Sequence, residues 1–495
     1  MAYAKEAQNL LETALAHMEP NDINKRAYSV KVSDVYDRMI AILMKEKRYD
    51  EAMAASEQTR ARASLDLLYT ARAKKDSKAG VGDAAAGTAE QQTAAATSAR
   101  TQELVLRSEA HGEAITPAQI TDTLGRLQST LIGYWVSDET LYTWVARPGQ
   151  PTYGAARPLK RSVLEALVEQ TQPGTANGRG GLRSRGGAAI SGTEVSRTAW
   201  RRLYDLLILP VAEYLPKETG SRLTIIPSGP LVRVAFPALT DRSGHYLVER
   251  YATHSSPTIE LLNFTAENDE AAKAMTPHYV FVADPARFPL TVDGLRLPPL
   301  PRTEIEVQMV SRLLPTEQVT MLHGEDAGLR ELTASLPTAT TLHFATHAVM
   351  SDSDPFGSFL ALNREGDSGR LTVSQVYGMH LHARLVVLSA CRTGLGKISG
   401  DGVAGLSRAF FYAGTASVLA TLWDVADEPT ARLLPKFYEQ MNHGATRSDA
   451  LRSAQLSLIA DLRHGRVAVT GLGGERITIA ESAVLWAAFT LSGEP

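Results

Sequence analysis

A chain of 495 residues is too long to wrap a single hydrophobic core, so two or three domains are expected. With 44% hydrophobic and 21% charged residues the composition is that of a soluble globular protein, and a net charge of −3 supplies no field for nucleic acid or an anionic membrane. One cysteine excludes an intrachain disulfide, the N-terminus lacks the apolar core of a signal peptide, and no run approaches the roughly 18 apolar residues of a spanning helix, so a cytoplasmic protein is expected.

Residues 1–72 read as helices. Tyr36, Ile40 and Leu43 share one helical face and Lys45–Lys47 form a polar turn. A second helix from about Tyr49 to Leu68 presents Ala52, Ala55, Ser56 and Thr59, small side chains that let two antiparallel helices approach closely. This spacing resembles a tetratricopeptide repeat, with Ala4–His17, ended by Pro20, as the second half of a preceding one; a plain helical hairpin is the alternative. About three repeats are needed for independent stability, so the segment is expected to cap the rest or to end a longer array. Residues 73–112 are expected to be a flexible linker, since Lys74–Arg100 holds almost no large apolar side chain to offset ordering entropy.

An α/β pattern follows. A helix at Ile120–Leu127 precedes a hairpin of strands Leu131–Val136 and Thr140–Ala146. Helices at Arg161–Glu169 and Thr198–Tyr214 flank Pro173–Ser191, a Gly-rich basic run expected to be an exposed loop. Arg222–Pro227 reads as a strand, and Arg233–Leu239 leads into another turn. Strands at Tyr279–Ala283, Gln318–Leu322, Thr341–Phe344, Arg384–Leu388 and Ser417–Leu422 alternate with helices at Glu304–Leu314, Gly328–Leu336, Val403–Ala413 and Glu428–Met441. That alternation predicts a mostly parallel sheet flanked by helices.

Cys391, the only cysteine, follows the apolar run Arg384–Ala390 at a glycine-punctuated turn, and His347 follows the run Thr341–Thr346. A lone cysteine is more often a buried core thiol. Here the preceding run supplies the core, and the carboxyl ends of parallel strands are where open α/β sheets bind ligands. A thiol and an imidazole at two such ends are a nucleophile and its base. Other motifs fail. Gly394–Lys397 is no phosphate loop, because Cys391 and Ile398 stand where glycine and Ser or Thr are required. His343 and His347 lack the glutamate of a zinc-protease helix, and no third ligand is apparent, although a metal site on a shared strand face stays open. Ser228 lacks the flanking glycines of a hydrolase elbow.

Several stretches carry a resemblance: Leu342-His343-Phe344-Ala345-Thr346-His347, Leu388-Ser389-Ala390-Cys391-Arg392-Thr393-Gly394, Gly402–Phe410, Leu422-Trp423-Asp424-Val425-Ala426-Asp427, Trp486–Phe489, Ile226–Leu231 and Tyr246–Tyr251. Over roughly residues 115–495 the chain resembles the CHAT family, caspase-like proteins often joined to tetratricopeptide repeats and similar to separases. The resemblance implies a caspase-like sheet, a non-catalytic subdomain over 113–270, a catalytic subdomain over 271–495, and cysteine endopeptidase chemistry through His347 and Cys391; no cofactor or metal is expected. It also implies an oxyanion hole from the backbone N–H groups of Ala348 and Cys391, although Ala348 replaces the family's usual glycine and restricts the backbone there.

The expected reaction is peptide hydrolysis through an acyl-enzyme. Asp424 and Asp427, with Asp401 as a third candidate, would form an acidic pocket for Arg or Lys at P1; the competing role for Asp427 is to start the helix at Glu428-Pro429. Arg179, Arg183 and Arg185, with Lys74 and Lys75, then become candidate self-cleavage sites. Expected partners are a protein or peptide substrate and an activating protein that binds the N-terminal helices, with no membrane or direct nucleic acid. A catalytically inactive repeat-plus-protease scaffold is the competing function.

Overall fold

The computed structural model describes residues 23–60, 115–175, 182–183, 189–191, 194–289, 296–351, 354–364, 368–389, 397–399, 402–425, 427–470 and 476–495. The expected helix Ala4–His17, the linker 73–112, Arg179, Arg185, Cys391 and Asp401 lie outside these residues.

Strands β1 (Ser129–Val136), β2 (Thr140–Arg147), β3 (Gln150–Pro158), β4 (Arg222–Ile226), β5 (Ala252–Ser255), β6 (Tyr279–Pro285), β7 (Val319–Gly324), β8 (Thr341–Ala345), β9 (Leu385–Leu388), β10 (Ser417–Thr421) and β11 (Phe489–Gly493) form one sheet. Its order is β7-β6-β8-β9-β10-β11-β5-β4-β1-β2-β3. β7, β6, β8, β9 and β10 run parallel to one another. β11 pairs antiparallel with β10 and parallel with β5, and β5, β4 and β1 continue its direction. The mostly parallel sheet is thus two parallel blocks of opposite sense, joined at β10–β11.

Flanking helices are α1 (Ile23–Lys45), α2 (Pro117–Leu127), α3 (Arg161–Glu169), α4 (Glu194–Leu207), α5 (Ile259–Lys273), α6 (Pro301–Ser311), α7 (Leu329–Ser335), α8 (Leu406–Tyr412), α9 (Asp427–Asn442) and α10 (Arg447–Arg463). The strand period of two sends alternate side chains into separate cores. Val280, Val282, Leu342, Phe344, Val386, Leu388, Val418 and Ala420 pack under α7 and α8. Phe281, Ala283, Ala345, Leu385, Val387, Leu419 and Leu491 face α6, α9 and α10. Strands buried on both faces read as near-continuous apolar runs, which is why β6, β8, β9 and β10 are visible in the sequence.

The N-terminal hairpin caps the sheet at β1–β2. Tyr36, Met39, Ile40 and Leu43 of α1, with Ala52, Met53 and Ala55 of the helix at 49–60, pack against Leu124, Leu131, Trp135 and Trp144. The Trp135 indole N–H donates to Asp37 at 2.6 Å, and the Trp144 indole N–H points at Met44 Sδ at 3.0 Å.

Some expectations are corrected. The run Pro173–Ser191 carries three short antiparallel strands, Gly174–Thr175, Leu182–Arg183 and Ala189–Ser191, with the last in the middle. The helix expected to continue to Tyr214 ends at Leu207 and resumes as a 3-10 turn over Leu209–Tyr214, with Pro210, which has no N–H to donate, at its start. α8 begins at Leu406 rather than Val403, because Gly402–Ala404 pairs as a strand with Lys397–Ser399 and Gly405 is extended (φ −155°) at the N-cap. Among the described residues no helix is long and apolar enough to cross a membrane.

Candidate active site

β8 and β9 are parallel neighbours with Thr341 opposite Leu385 and Phe344 opposite Leu388. His347 lies three residues past Phe344 (347 − 344) and Cys391 three residues past Leu388 (391 − 388). The ladder extends one step further, with Ser389 N–H donating to the Phe344 carbonyl at 2.9 Å.

The turn before the imidazole is pinned by Thr346, whose hydroxyl donates to the Ala361 carbonyl at 2.6 Å. His347 is buried, with Nε2 2.7 Å from the Pro298 carbonyl and the edge-on ring of Phe288 at 4.9 Å. A carbonyl only accepts, so Nε2 carries the hydrogen and Nδ1 keeps the lone pair. Burial is the largest influence on the ring and lowers its pKa below the ordinary value; the Pro298 carbonyl, then Asp284, then Asp424 pull it partly back. The neutral ring is therefore the resting form at pH 7, with its lone pair on Nδ1.

Ala348 begins the short strand Ala348–Val349, opposite Leu360 of Phe359–Ala361. Among the described residues, the non-glycine positions with positive φ are Lys47, Gln128 and Asp284. Ala348 is not one of them, so replacing glycine there costs no backbone strain.

Asp424 follows β10 between two anchors. Trp423 and Val425 are buried, and the Trp423 indole N–H donates to the Val484 carbonyl at 2.9 Å. Asp424 itself is half-buried, and its Oδ1 has no hydrogen-bond partner among the described residues. Asp427 is the first residue of α9, consistent with a helix-starting role. Arg183 ends the strand Leu182–Arg183, opposite Ala189.

His343 turns away from His347. It is sealed against α6 and α9, with Nε2 3.2 Å from Glu306 Oε1, Nδ1 3.3 Å from the Tyr438 hydroxyl, and its ring stacked on Tyr438 at 5.9 Å. The two histidines share no metal site, and among the described residues no group of three His, Cys, Asp or Glu side chains could hold a metal ion.

Pro298, Phe288 and Asp284 were not foreseen. Asp284 is the second-last residue of β6 with φ 37°, and its Oδ1 accepts from the Leu300 N–H at 3.1 Å. An Asp-Pro step after a buried strand was the one signal available for it.

A family model described as the CHAT domain matches residues 197–494. Human tetratricopeptide repeat protein 28 is 27% identical over an alignment of 299 positions that covers 51% of this chain and 12% of that protein. Its mouse counterpart is 26% identical over the same length, so the chain spans 12% of the curated relatives it matches. Among solved structures, the Arg-specific cysteine proteinase gingipain R aligns with a TM-score of 0.37 and 12% identity, over 61% of this chain and 68% of that one. The separase of a Saccharomyces cerevisiae separase–securin complex aligns with a TM-score of 0.46 and 11% identity, over 94% of this chain and 37% of that one.

Proposed function

The chain belongs to the CHAT domain family, and from that premise we propose that it is a cysteine endopeptidase using His347 and Cys391. One observation carries the reading: the strands that precede these residues are adjacent, parallel and in register, and each residue lies three positions past the last pair of that ladder, Phe344 opposite Leu388. The state of His347 supports it, since a buried neutral imidazole with a fixed Nε2–H offers Nδ1 as a base.

The Cys391 Sγ–H gives its proton to Nδ1 and the thiolate adds to the scissile carbonyl carbon. The oxyanion is held by the backbone N–H groups of Ala348 and Cys391, each worth about 3 kcal/mol where such donors have been removed. The intermediate collapses, Nδ1–H protonates the departing amine, and a thioester remains. Water then attacks the thioester, passing a proton back through His347, and releases the carboxylate and the thiol.

Asp424 is the base of a pocket that prefers Arg or Lys at P1, its unpartnered oxygen being the feature that favours this role; Asp427 and Asp401 are further candidates for it. Arg179, Arg183 and Arg185 are self-cleavage sites, and a protein that binds the N-terminal hairpin switches the enzyme on.

The test is labelling of Cys391 by a peptide electrophile with Arg at P1, followed by cleavage of an arginyl peptide library. We expect His347→Ala to slow labelling about 10²–10⁴-fold, and Asp424→Asn to remove the preference for Arg over an uncharged P1. Because His347 must be neutral to accept a proton and burial lowers its pKa, the acid limb of activity should lie below pH 6.5. Labelling no faster than that of a free thiol, and indifferent to His347→Ala, would leave the scaffold reading in its place.

A further inference from the structure

Asp284 stands apart from its surroundings as a non-glycine residue with φ 37°, a left-handed backbone that side chains rarely adopt. Ala283 is opposite Ala345 in the last pair of the β6–β8 register, so Asp284, one residue on, lies one step before the level of His347. Its Oδ1 accepts from the N–H of Leu300, the residue at the N-cap of α6, 16 positions further along the sequence. Pro298 lies two residues before Leu300, and Pro298-Pro299 is a step with both φ angles fixed by proline rings. The Pro298 carbonyl is the group 2.7 Å from His347 Nε2.

We propose that Asp284 is a positioning residue for the base: its carboxylate fixes the Pro298–Leu300 segment, and that segment holds His347 in the Nε2–H form with Nδ1 free to take a proton. This rests on the reading of His347 as the base. The strained backbone is the geometry that aims one carboxylate at Leu300 from the second-last position of β6. Asp284 also acts on the ring by charge, together with Asp424 from the end of β10, and both acids favour the imidazolium that forms during turnover.

Two variants separate the roles. Asp284→Asn keeps an oxygen for the Leu300 N–H but loses the charge; Asp284→Ala loses both. Each is made in the full chain carrying Cys391→Ser, and the His347 ring is followed by histidine-labelled NMR. We expect Asp284→Asn to stay in the Nε2–H tautomer with its titration lowered by about half a pH unit or more, and Asp284→Ala to show a mixture of tautomers. With Cys391 intact, Asp284→Ala should slow alkylation by iodoacetamide at pH 7 about tenfold. A ring whose tautomer and titration match the parent in both variants overturns the proposal, and the Asn variant decides if the Ala variant does not fold. Alkylation indifferent to His347→Ala defeats the base reading instead, while the NMR result still decides what Asp284 holds.

Discussion

Tyr134 and Tyr377 are both sealed from solvent, and burial raises the pKa of each phenol, yet their hydroxyls meet different surroundings. Tyr134 donates to the Leu207 carbonyl at 3.1 Å, whereas the Tyr377 hydroxyl has no hydrogen-bond partner among the described residues. Removing a satisfied hydroxyl orphans its partner; removing an unsatisfied one relieves a desolvation cost. Tyr134→Phe should therefore cost about 1 kcal/mol in urea unfolding, and Tyr377→Phe should be neutral or stabilising by about as much. Equal losses would mean that Tyr377 is satisfied after all. His254 supplies a pH-dependent term. Its Nδ1–H donates to the Gly493 carbonyl and its Nε2 lies beside the Thr224 hydroxyl, both at 2.8 Å. Burial, the largest cause, lowers its pKa from 6.5 to about 4. Between those values the unfolded chain binds a proton that the folded chain refuses, so stability falls as pH falls, by about 3 kcal/mol at most. The loss begins below pH 6.5 and levels off near pH 4. His254→Gln should flatten that slope in denaturation measured from pH 7 to 4, and an unchanged slope would assign it to other groups.

Among the described residues, a buried charged clasp joins the N-terminal hairpin to the sheet. Glu57 pairs with Arg60, Arg60 also donates to the Tyr134 carbonyl, and Glu57 Oε2 accepts the first N–H of α5, from Ile259, at 2.6 Å. Breaking a buried pair from one side costs about 3–5 kcal/mol. Glu57→Ala should loosen the hairpin and let water reach the Trp135 and Trp144 indoles beneath it, which a red shift in their fluorescence would report; an unshifted spectrum with unchanged stability would rule out the clasp. The helical face here was legible because Tyr36, Ile40 and Leu43 follow the 3.6-residue period and are buried as that period requires. α5 was not legible: its buried face includes Thr265 and Asp269, so no apolar stripe marks it. β5 is short and buries His254 among its inward residues, and β3 is a largely exposed edge strand with prolines at Pro151 and Pro158. The site divides in the same way. His347 could be read from the end of an apolar strand, but Pro298 and Asp284 lie 49 and 63 residues away (347 − 298, 347 − 284) and reach it only through the fold.

At the scale of the molecule, β11 is the strand on which both parallel blocks depend, since it pairs with β10 on one side and β5 on the other. Its last residue, Gly493, sits at that seam and has φ 89°. A Cβ there would fall 2.3 Å from the Ala416 carbonyl oxygen and 2.8 Å from the Phe411 ring. The Gly493 carbonyl is also the acceptor for His254, so displacing this backbone would disturb the β5 side as well. Gly244 is a matched control, with φ 87° and nothing within 4 Å of its added Cβ. Left-handed strain alone should make Gly244→Ala cost about 1–2 kcal/mol. Gly493→Ala carries the same strain plus a backbone clash that no side chain can relieve by moving, and a loss of more than about 4 kcal/mol is expected. Thermal unfolding followed by far-UV circular dichroism compares the two directly. Similar losses would show that the blocks can part at β10–β11 without strain, and that β11 is not their common support.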